Sequence, residues 1–166
     1  EDMRGVDNGR GKVTRVKAYD NTIGFGRIDL QKSLYLKGWS DVQVKIWDQE
    51  KVTDEAERRF AISVDTSGGC KYGKLSVTLV WTERASVIGC TRCVINDLDL
   101  TVLDDSTNKV YYPNGGTRDG KNNNERVVID GVKGGDNFTI YVKPYNLDES
   151  EQKFALVATG CFGGIP

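Results

Sequence analysis

The chain has 166 residues, enough for one well-buried domain with an appendage but too few for two ordinary domains. Its 23 basic and 24 acidic residues leave a net charge of −1, so we expect no electrostatic binding to nucleic acid or to a membrane surface. No apolar run approaches membrane-spanning length. The absence of histidine excludes a self-contained Ser-His-Asp or Cys-His catalytic site and any histidine-bound metal.

The N-terminal part of the chain is predicted to be a loop followed by one helix. Residues 1–22 are polar and glycine-rich, which is typical of loops. The helix is predicted over residues 27–37, with Asp29 in its first turn and Gly38 just past its end. Its apolar residues fall close to one face and need a surface to pack on. The chain begins at Glu1 without an initiator methionine or a signal peptide, which predicts a processed piece of a longer protein.

From Asp41 onward the apolar period changes from helical to alternating. Eight short segments alternate in this way and are separated by turn residues: 42–47, 59–65, 74–82, 97–103, 109–112, 126–129, 138–143 and 154–159. This pattern predicts an all-β sandwich or barrel. We place the boundary near Gly38-Trp39-Ser40, which divides the chain into residues 1–38 and a β domain of residues 39–166.

The first candidate site is rich in oxygen ligands. Asp97 and Asp99 alternate with leucines in Asn96-Asp97-Leu98-Asp99-Leu100, so both carboxylates share one strand face, with α-carbons roughly 6.5 to 7 Å apart. The loop from Asp119 to Glu125 adds further carboxylate and amide oxygens, which are the ligands that calcium prefers. The spacing is not that of an EF-hand. A solvated strand edge with an asparagine-stabilised turn, and a paired-carboxylate glycosidase, are alternative interpretations.

The cysteines and one asparagine indicate an oxidising compartment. Two disulfides explain Cys70, Cys90, Cys93 and Cys161 more economically than free thiols or a four-thiolate zinc site, because a zinc ribbon would need a second close pair. The pairing stays open, although we expect one bond to tie Cys161 to an earlier loop. Asn137 begins a formal N-glycosylation triplet, Asn137-Phe138-Thr139.

The aromatic residues permit a third interpretation. Those that could line a sugar-binding face are Trp39, Trp47, Trp81, Tyr111, Tyr112, Tyr141 and Tyr145. Trp81 and Tyr141, however, lie within alternating strands, where a core position is favoured.

Several short motifs, taken in order, resemble subtilisin-like serine proteases. Gly24-Phe25-Gly26-Arg27-Ile28-Asp29-Leu30 resembles the segment that leads into the final helix of their catalytic domain. Residues 74–82, 96–100, 122–125 and 152–160 resemble successive parts of the β-sandwich that many such proteases carry behind that domain. The agreement in order and spacing covers nearly the whole chain after Gly24. Residues 86–93, with their Cys-x-x-Cys, and Cys70 depart from the family pattern.

The resemblance implies a jelly-roll β-sandwich of about eight antiparallel strands, preceded by one short helix. Such a domain is galactose-binding-like or P-domain-like, similar to the one behind the catalytic unit of kexin-like convertases. Residues 1–38 would be the end of a subtilisin catalytic domain, and residues 39–166 the noncatalytic C-terminal domain of a secreted endopeptidase. The family's nucleophile segment and its triad aspartate and histidine are missing, so we expect no peptidase activity from this chain alone.

The resemblance also implies a partner and a metal. The partner is the catalytic domain of the same protease, which the sandwich would dock on and stabilise. The metal is structural calcium, with Asp97, Asp99, Asn123 and Glu125 as ligand candidates and Asp119 as a further one. The alternative function is a free-standing module for carbohydrate or for a partner protein, in which Trp47 or Tyr112 would contact the ligand.

Overall fold

The fold is almost entirely β-structure. A computed structural model describes residues 28–36, 39–40, 42–54, 56–113 and 116–163. In these ranges one helical turn, α1 (Leu30–Ser33), precedes eight strands: β1 (Gln43–Val52), β2 (Arg58–Ser63), β3 (Lys74–Val80), β4 (Asp97–Asp104), β5 (Lys109–Tyr111), β6 (Asn124–Asp130), β7 (Asn137–Asn146) and β8 (Gln152–Gly160). Each of the eight predicted segments corresponds to one of these strands, so the all-β prediction is confirmed.

The strands form two four-stranded antiparallel sheets, with the orders β1-β8-β3-β6 and β2-β7-β4-β5. Every connection except the β4–β5 hairpin crosses from one sheet to the other. Each sheet therefore pairs strands from the two halves of the chain. This order is the jelly-roll arrangement, as expected.

The core lies between the two sheets and is built from alternate residues of each strand. In β4, Leu98, Leu100 and Val102 are fully buried, as their alternation with the aspartates predicted. Trp81, just after β3, is also buried, which confirms its core position. The core prediction is wrong for Tyr141, which is half-buried on the outer face of β7 because its two neighbours occupy the inward positions.

The long N-terminal helix predicted over residues 27–37 does not form in the described part of the chain. Only Leu30–Ser33 is helical, and residues 34–36 are not. Leu30, Leu34 and Leu36 are exposed, so no described surface covers the apolar side that such a helix would need. Short helices without that packing are marginal. Residues 1–27, 37 and 38 lie outside the described residues, so the glycine-led segment and the domain boundary stay predictions.

Two disulfides are present, as predicted, and the expected bond to Cys161 is confirmed. Cys70 pairs with Cys161 across 91 residues, and Cys90 pairs with Cys93 across three. The first bond fastens the end of β8 to the loop before β3. The second closes a small ring in the β3–β4 connection. Among the described residues no helix is long and apolar enough to cross a bilayer.

Candidate cation site at the edge of the sandwich

The candidate site lies beside the first half of β4, which is paired with a described strand on one side only. β5 pairs with β4 only at Val102, Leu103 and Asp104, so the preceding β4 residues have no described strand on that side. Glu125, on β6 of the opposite sheet, reaches across this gap. Its Oε2 accepts a hydrogen bond of 2.5 Å from the backbone N–H of Leu100. Glu125 therefore links the two sheets at this edge.

Three carboxylate oxygens at this edge are buried and accept no hydrogen bond from any described residue. Asp97 is 1% exposed and Glu125 is fully buried. The three oxygens are Asp97 Oδ1, Asp99 Oδ1, which lies 3.0 Å from Arg118 Nε, and Glu125 Oε1. A buried acceptor left in this way costs about 1 to 3 kcal/mol, and more when it is charged. The solvated-edge interpretation is thus wrong for Asp97, although Asp99 is half-buried.

The outer side of the cluster is closed by two arginines that sequence reasoning missed. Arg92 and Arg118 both donate to Asp97 Oδ2, and Arg118 Nε also donates to Asp99 Oδ2 at 3.0 Å. The Arg118 guanidinium lies 3.2 Å from the ring centroid of Tyr145. A buried carboxylate needs a cationic partner, so the sequence could have predicted that some basic residue pairs with Asp97. It could not identify which arginines would do so.

The arginines do not fully offset the cost of burying these carboxylates. Burial raises the pKa of Asp97 and of Asp99, against the opposing effect of the arginines. Burial raises the pKa of Glu125 to about 9, against the hydrogen bond from Leu100, and the nearby charges of Asp99, Asp119 and Asp97 add to the increase. Glu125 therefore holds a proton at neutral pH in the absence of a cation.

The other two predicted ligands serve mainly to shape their loop. Asp119 accepts hydrogen bonds from the backbone N–H of Lys121 at 3.0 Å and from Asn122 Nδ2 at 2.6 Å. Asn123 Nδ2 donates to the backbone carbonyl of Trp81 at 3.0 Å, which fastens the loop to the end of β3. The structure thus gathers three of the five predicted ligands at one edge, keeps Asp119 within their electrostatic range and uses Asn123 elsewhere.

No protein-family model matches the chain, and no curated protein is significantly similar to it. The interpretation of the site therefore depends on its chemistry. Within the described ranges, no group of three or more His, Cys, Asp or Glu side chains is arranged to hold a metal ion. The arginines donate to Asp97 Oδ2, so the carboxylate oxygens that remain for a cation are Asp97 Oδ1, Asp99 Oδ1 and Glu125 Oε1.

The glycosylation candidate lies apart from this cluster. Asn137 is exposed at the first residue of β7. Its Nδ2 donates to the carbonyl of Gly135 at 3.0 Å, and its Oδ1 accepts from Ser63 Oγ at 2.7 Å. Glycosylation at this position stays a prediction.

The aromatic residues do not form one common face. Trp47 is half-buried and packs on Phe60, with ring centroids 5.1 Å apart. Tyr112 is exposed just after β5, in the other sheet. Trp47 and Tyr112 therefore belong to different sheets and do not form one binding face.

Proposed function

We propose that this chain is the noncatalytic C-terminal part of a secreted subtilisin-like serine endopeptidase, which docks on the catalytic domain and stabilises it. The jelly-roll topology and the family resemblance of the sequence motifs support this assignment. The two disulfides are consistent with an extracellular location. The observation that carries the docking role is the composition of one outer sheet face.

The central part of the outer face of the β1-β8-β3-β6 sheet is poor in charge and lies between Lys74 and Asp130 at one end and Lys51 and Lys153 at the other. The strand register defines three rows on its central part: Val44, Thr159, Ser76 and Val128; Ile46, Val157, Thr78 and Arg126; and Ala155, Val80 and Asn124. Arg126 is the single charged residue of these rows, and its Nε donates to Ser76 Oγ at 3.1 Å. Ile46 is 65% exposed and Val80 is 45% exposed.

The opposite outer face provides the comparison within the same molecule. On the β2-β7-β4-β5 sheet, Arg59, Lys143 and Asp99 stand among the outward residues. A sheet face in water normally carries polar side chains, as this one does. The central part of the other face carries one charged residue and the exposed apolar side chains Ile46 and Val80, and this composition supports a protein interface.

The residues that precede β1 in the sequence also expose apolar side chains. Exposed apolar side chains follow one another there: Ile28, Leu30, Leu34, Leu36 and Trp39. They lead directly into β1, which is an edge strand of the apolar sheet and carries Val44 and Ile46. The resemblance assigns this segment to the end of the catalytic domain, so both features would face the same body.

The docking proposal is tested by adding the chain in trans to a subtilisin-like catalytic domain expressed without its own sandwich. We expect a complex in sedimentation velocity and a higher melting temperature of the catalytic domain. Ile46→Glu should weaken the complex at least tenfold, because it buries a charge in the interface. Val110→Glu, at a 40% exposed position on the opposite sheet, is the matched control.

Three results would contradict the docking role: no complex with the unmodified chain, equal binding by Ile46→Glu, or equal loss by Val110→Glu. Both variants are first compared with the unmodified chain by thermal melting, so that lost binding is not confused with lost folding. Peptidase activity from the purified chain alone would overturn the noncatalytic assignment.

Structural calcium forms the second part of the proposal. Asp97, Asp99 and Glu125 would hold the ion, because carboxylate oxygens are the ligands of hard cations and each of the three has one buried oxygen that accepts no hydrogen bond from a described residue. A bound cation would neutralise these carboxylates and tie β4 to β6. Calorimetric titration of CaCl₂ into the chelator-treated chain should show one site, weakened at least tenfold in Asp99→Asn. Asp105→Asn, at an exposed position, should bind normally.

A further inference from the structure

A groove of about 520 Å³ crosses the outer face of the β2-β7-β4-β5 sheet. It runs from Glu57 and Arg59, at the start of the edge strand β2, to Tyr112, just after the edge strand β5. Four strands spaced about 4.8 Å apart span about 14 Å, which suits an extended ligand better than a compact one. The groove lies on the sheet face opposite the proposed docking surface, so both surfaces can be occupied together.

The floor of the groove is formed by side chains of three strands. Tyr141 and Thr101 are register partners on β7 and β4, and Arg59 is the partner of Tyr141 on β2. β7 is paired on both sides, so a peptide cannot add to it as a strand. β4 before Val102 is paired with β7 alone, but its Leu100 N–H already donates to Glu125 Oε2. Recognition of a ligand across the floor therefore depends on the side chains.

Those side chains carry balanced charges that are already paired. Glu57 accepts a hydrogen bond from Arg59 Nε at 2.5 Å and lies 2.8 Å from Lys143 Nζ. Asp99, which pairs with Arg118 and also belongs to the proposed cation site, lines the groove too, so two cations and two anions line it. A charged polymer gains little electrostatic attraction from such a lining, because its positive and negative charges balance. A ligand rich in hydroxyl groups fits it well, because a hydroxyl both donates to carboxylates and accepts from cations.

Two tyrosines supply the apolar component of the groove. Tyr112 is 47% exposed, so much of its side chain is accessible to a ligand. The ring of Tyr141 is flanked by Arg59 and Lys143, which lie 5.4 Å and 5.5 Å from its centroid. A tyrosine offers an apolar ring with a polar tip, which matches a ligand that is apolar on its ring faces and polar at its rim.

We propose that this groove binds a neutral oligosaccharide, with the Tyr112 ring against a sugar face and with Arg59, Glu57 and Lys143 hydrogen-bonded to its hydroxyl groups. The binding function is separate from the docking function and uses the other sheet.

The test is affinity electrophoresis of the full chain in gels that contain β-glucan, xylan or mannan, followed by calorimetry with the hexasaccharide of the retarding polymer. We expect retardation by at least one of the three polymers. Tyr112→Ala and Arg59→Ala should each weaken binding at least tenfold. Trp39→Ala, a 78% exposed aromatic residue outside the groove, is the matched control and should bind normally. Ile46→Glu should also bind sugar normally, which separates this proposal from docking.

Retardation by none of the three neutral polymers would overturn the proposal. Equal binding by Tyr112→Ala and Arg59→Ala would also overturn it, since the ligand would then lie elsewhere. Tighter binding of polygalacturonate, an anionic polymer, or of an extended peptide would assign the groove to a different class of ligand. Thermal melting of each variant establishes that it is folded before its binding is compared.

Discussion

Replacing Glu125 with glutamine should stabilise the cation-free chain. Glutamine keeps the shape of the side chain and an oxygen for the Leu100 N–H, which now donates to Glu125 Oε2 at 2.5 Å, but it cannot ionise. Burial raises the pKa of Glu125 from 4.5 to about 9 in the folded chain. Between these two values the unfolded chain loses the proton while the folded chain keeps it. Stability conferred by this group is therefore complete below pH 4.5 and is lost as the pH rises towards 9.

The size of the effect follows from the same pKa values. Each pH unit above 4.5 lowers the free energy of unfolding by about 1.4 kcal/mol, so at pH 7 the loss reaches roughly 3.5 kcal/mol. Glu125→Gln should recover that amount at pH 7 and almost none at pH 4.5. Urea unfolding with a chelator, at pH 4.5, 7 and 8.5, measures the difference. The exposed Glu149→Gln substitution is the control.

Two results would refute this reasoning about Glu125. One is a variant that is less stable than the unmodified chain at pH 7. The other is a difference in stability that does not change with pH, because the effect would then not come from ionisation.

Three further substitutions test the rest of the fold. Hydrogen bonds from its own turn lower the pKa of Asp104 to about 2, so its contribution to stability is present above pH 4 and is lost as the pH falls towards 2. Asp104→Ala should therefore be less stable than the unmodified chain above pH 4, and the difference should shrink as the pH falls towards 2. Urea unfolding over this pH interval measures the difference. Replacing Cys70 and Cys161 with serine opens a loop of 91 residues, and chain entropy predicts a loss of about 4.6 kcal/mol. Replacing Cys90 and Cys93, three residues apart, should cost only about 2 kcal/mol in the same denaturant assay.

The alternating apolar pattern made the β-sandwich predictable. Leu98, Leu100 and Val102 are buried because a strand with period two has only one face for them. The jelly-roll order itself was not readable from periodicity, and came from the family resemblance. The helix over residues 27–37 was the main error among the elements. A local pattern records the apolar side of a segment but not whether a surface exists to cover it, and Leu34 and Leu36 are uncovered.

The candidate site was predictable in part. The pairing of Asp97 with Asp99 followed from strand geometry, and Glu125 followed from the oxygen-rich stretch that it ends and was named as a ligand candidate by the resemblance. The involvement of Arg92 and Arg118 was not predicted, because both lie in loops that reach the site through tertiary structure. The burial of Asp97 was missed for the same reason. The bond to Cys161 was expected from its place at the end of the last strand, and the structure supplies its partner, Cys70.

A thermal melt with and without calcium tests most directly the claim that the buried carboxylates form a cation site. When free calcium is in hundredfold excess over the Kd, binding to the folded state alone adds about 2.7 kcal/mol to the free energy of unfolding. In a chain of this size each kcal/mol raises the melting midpoint by roughly 2 to 4 °C. At pH 7 we expect calcium to raise the melting midpoint by roughly 5 to 10 °C over the chelator value. The rise should disappear in Asp97→Asn. An unchanged midpoint, or an equal rise in the variant, would contradict the cation site.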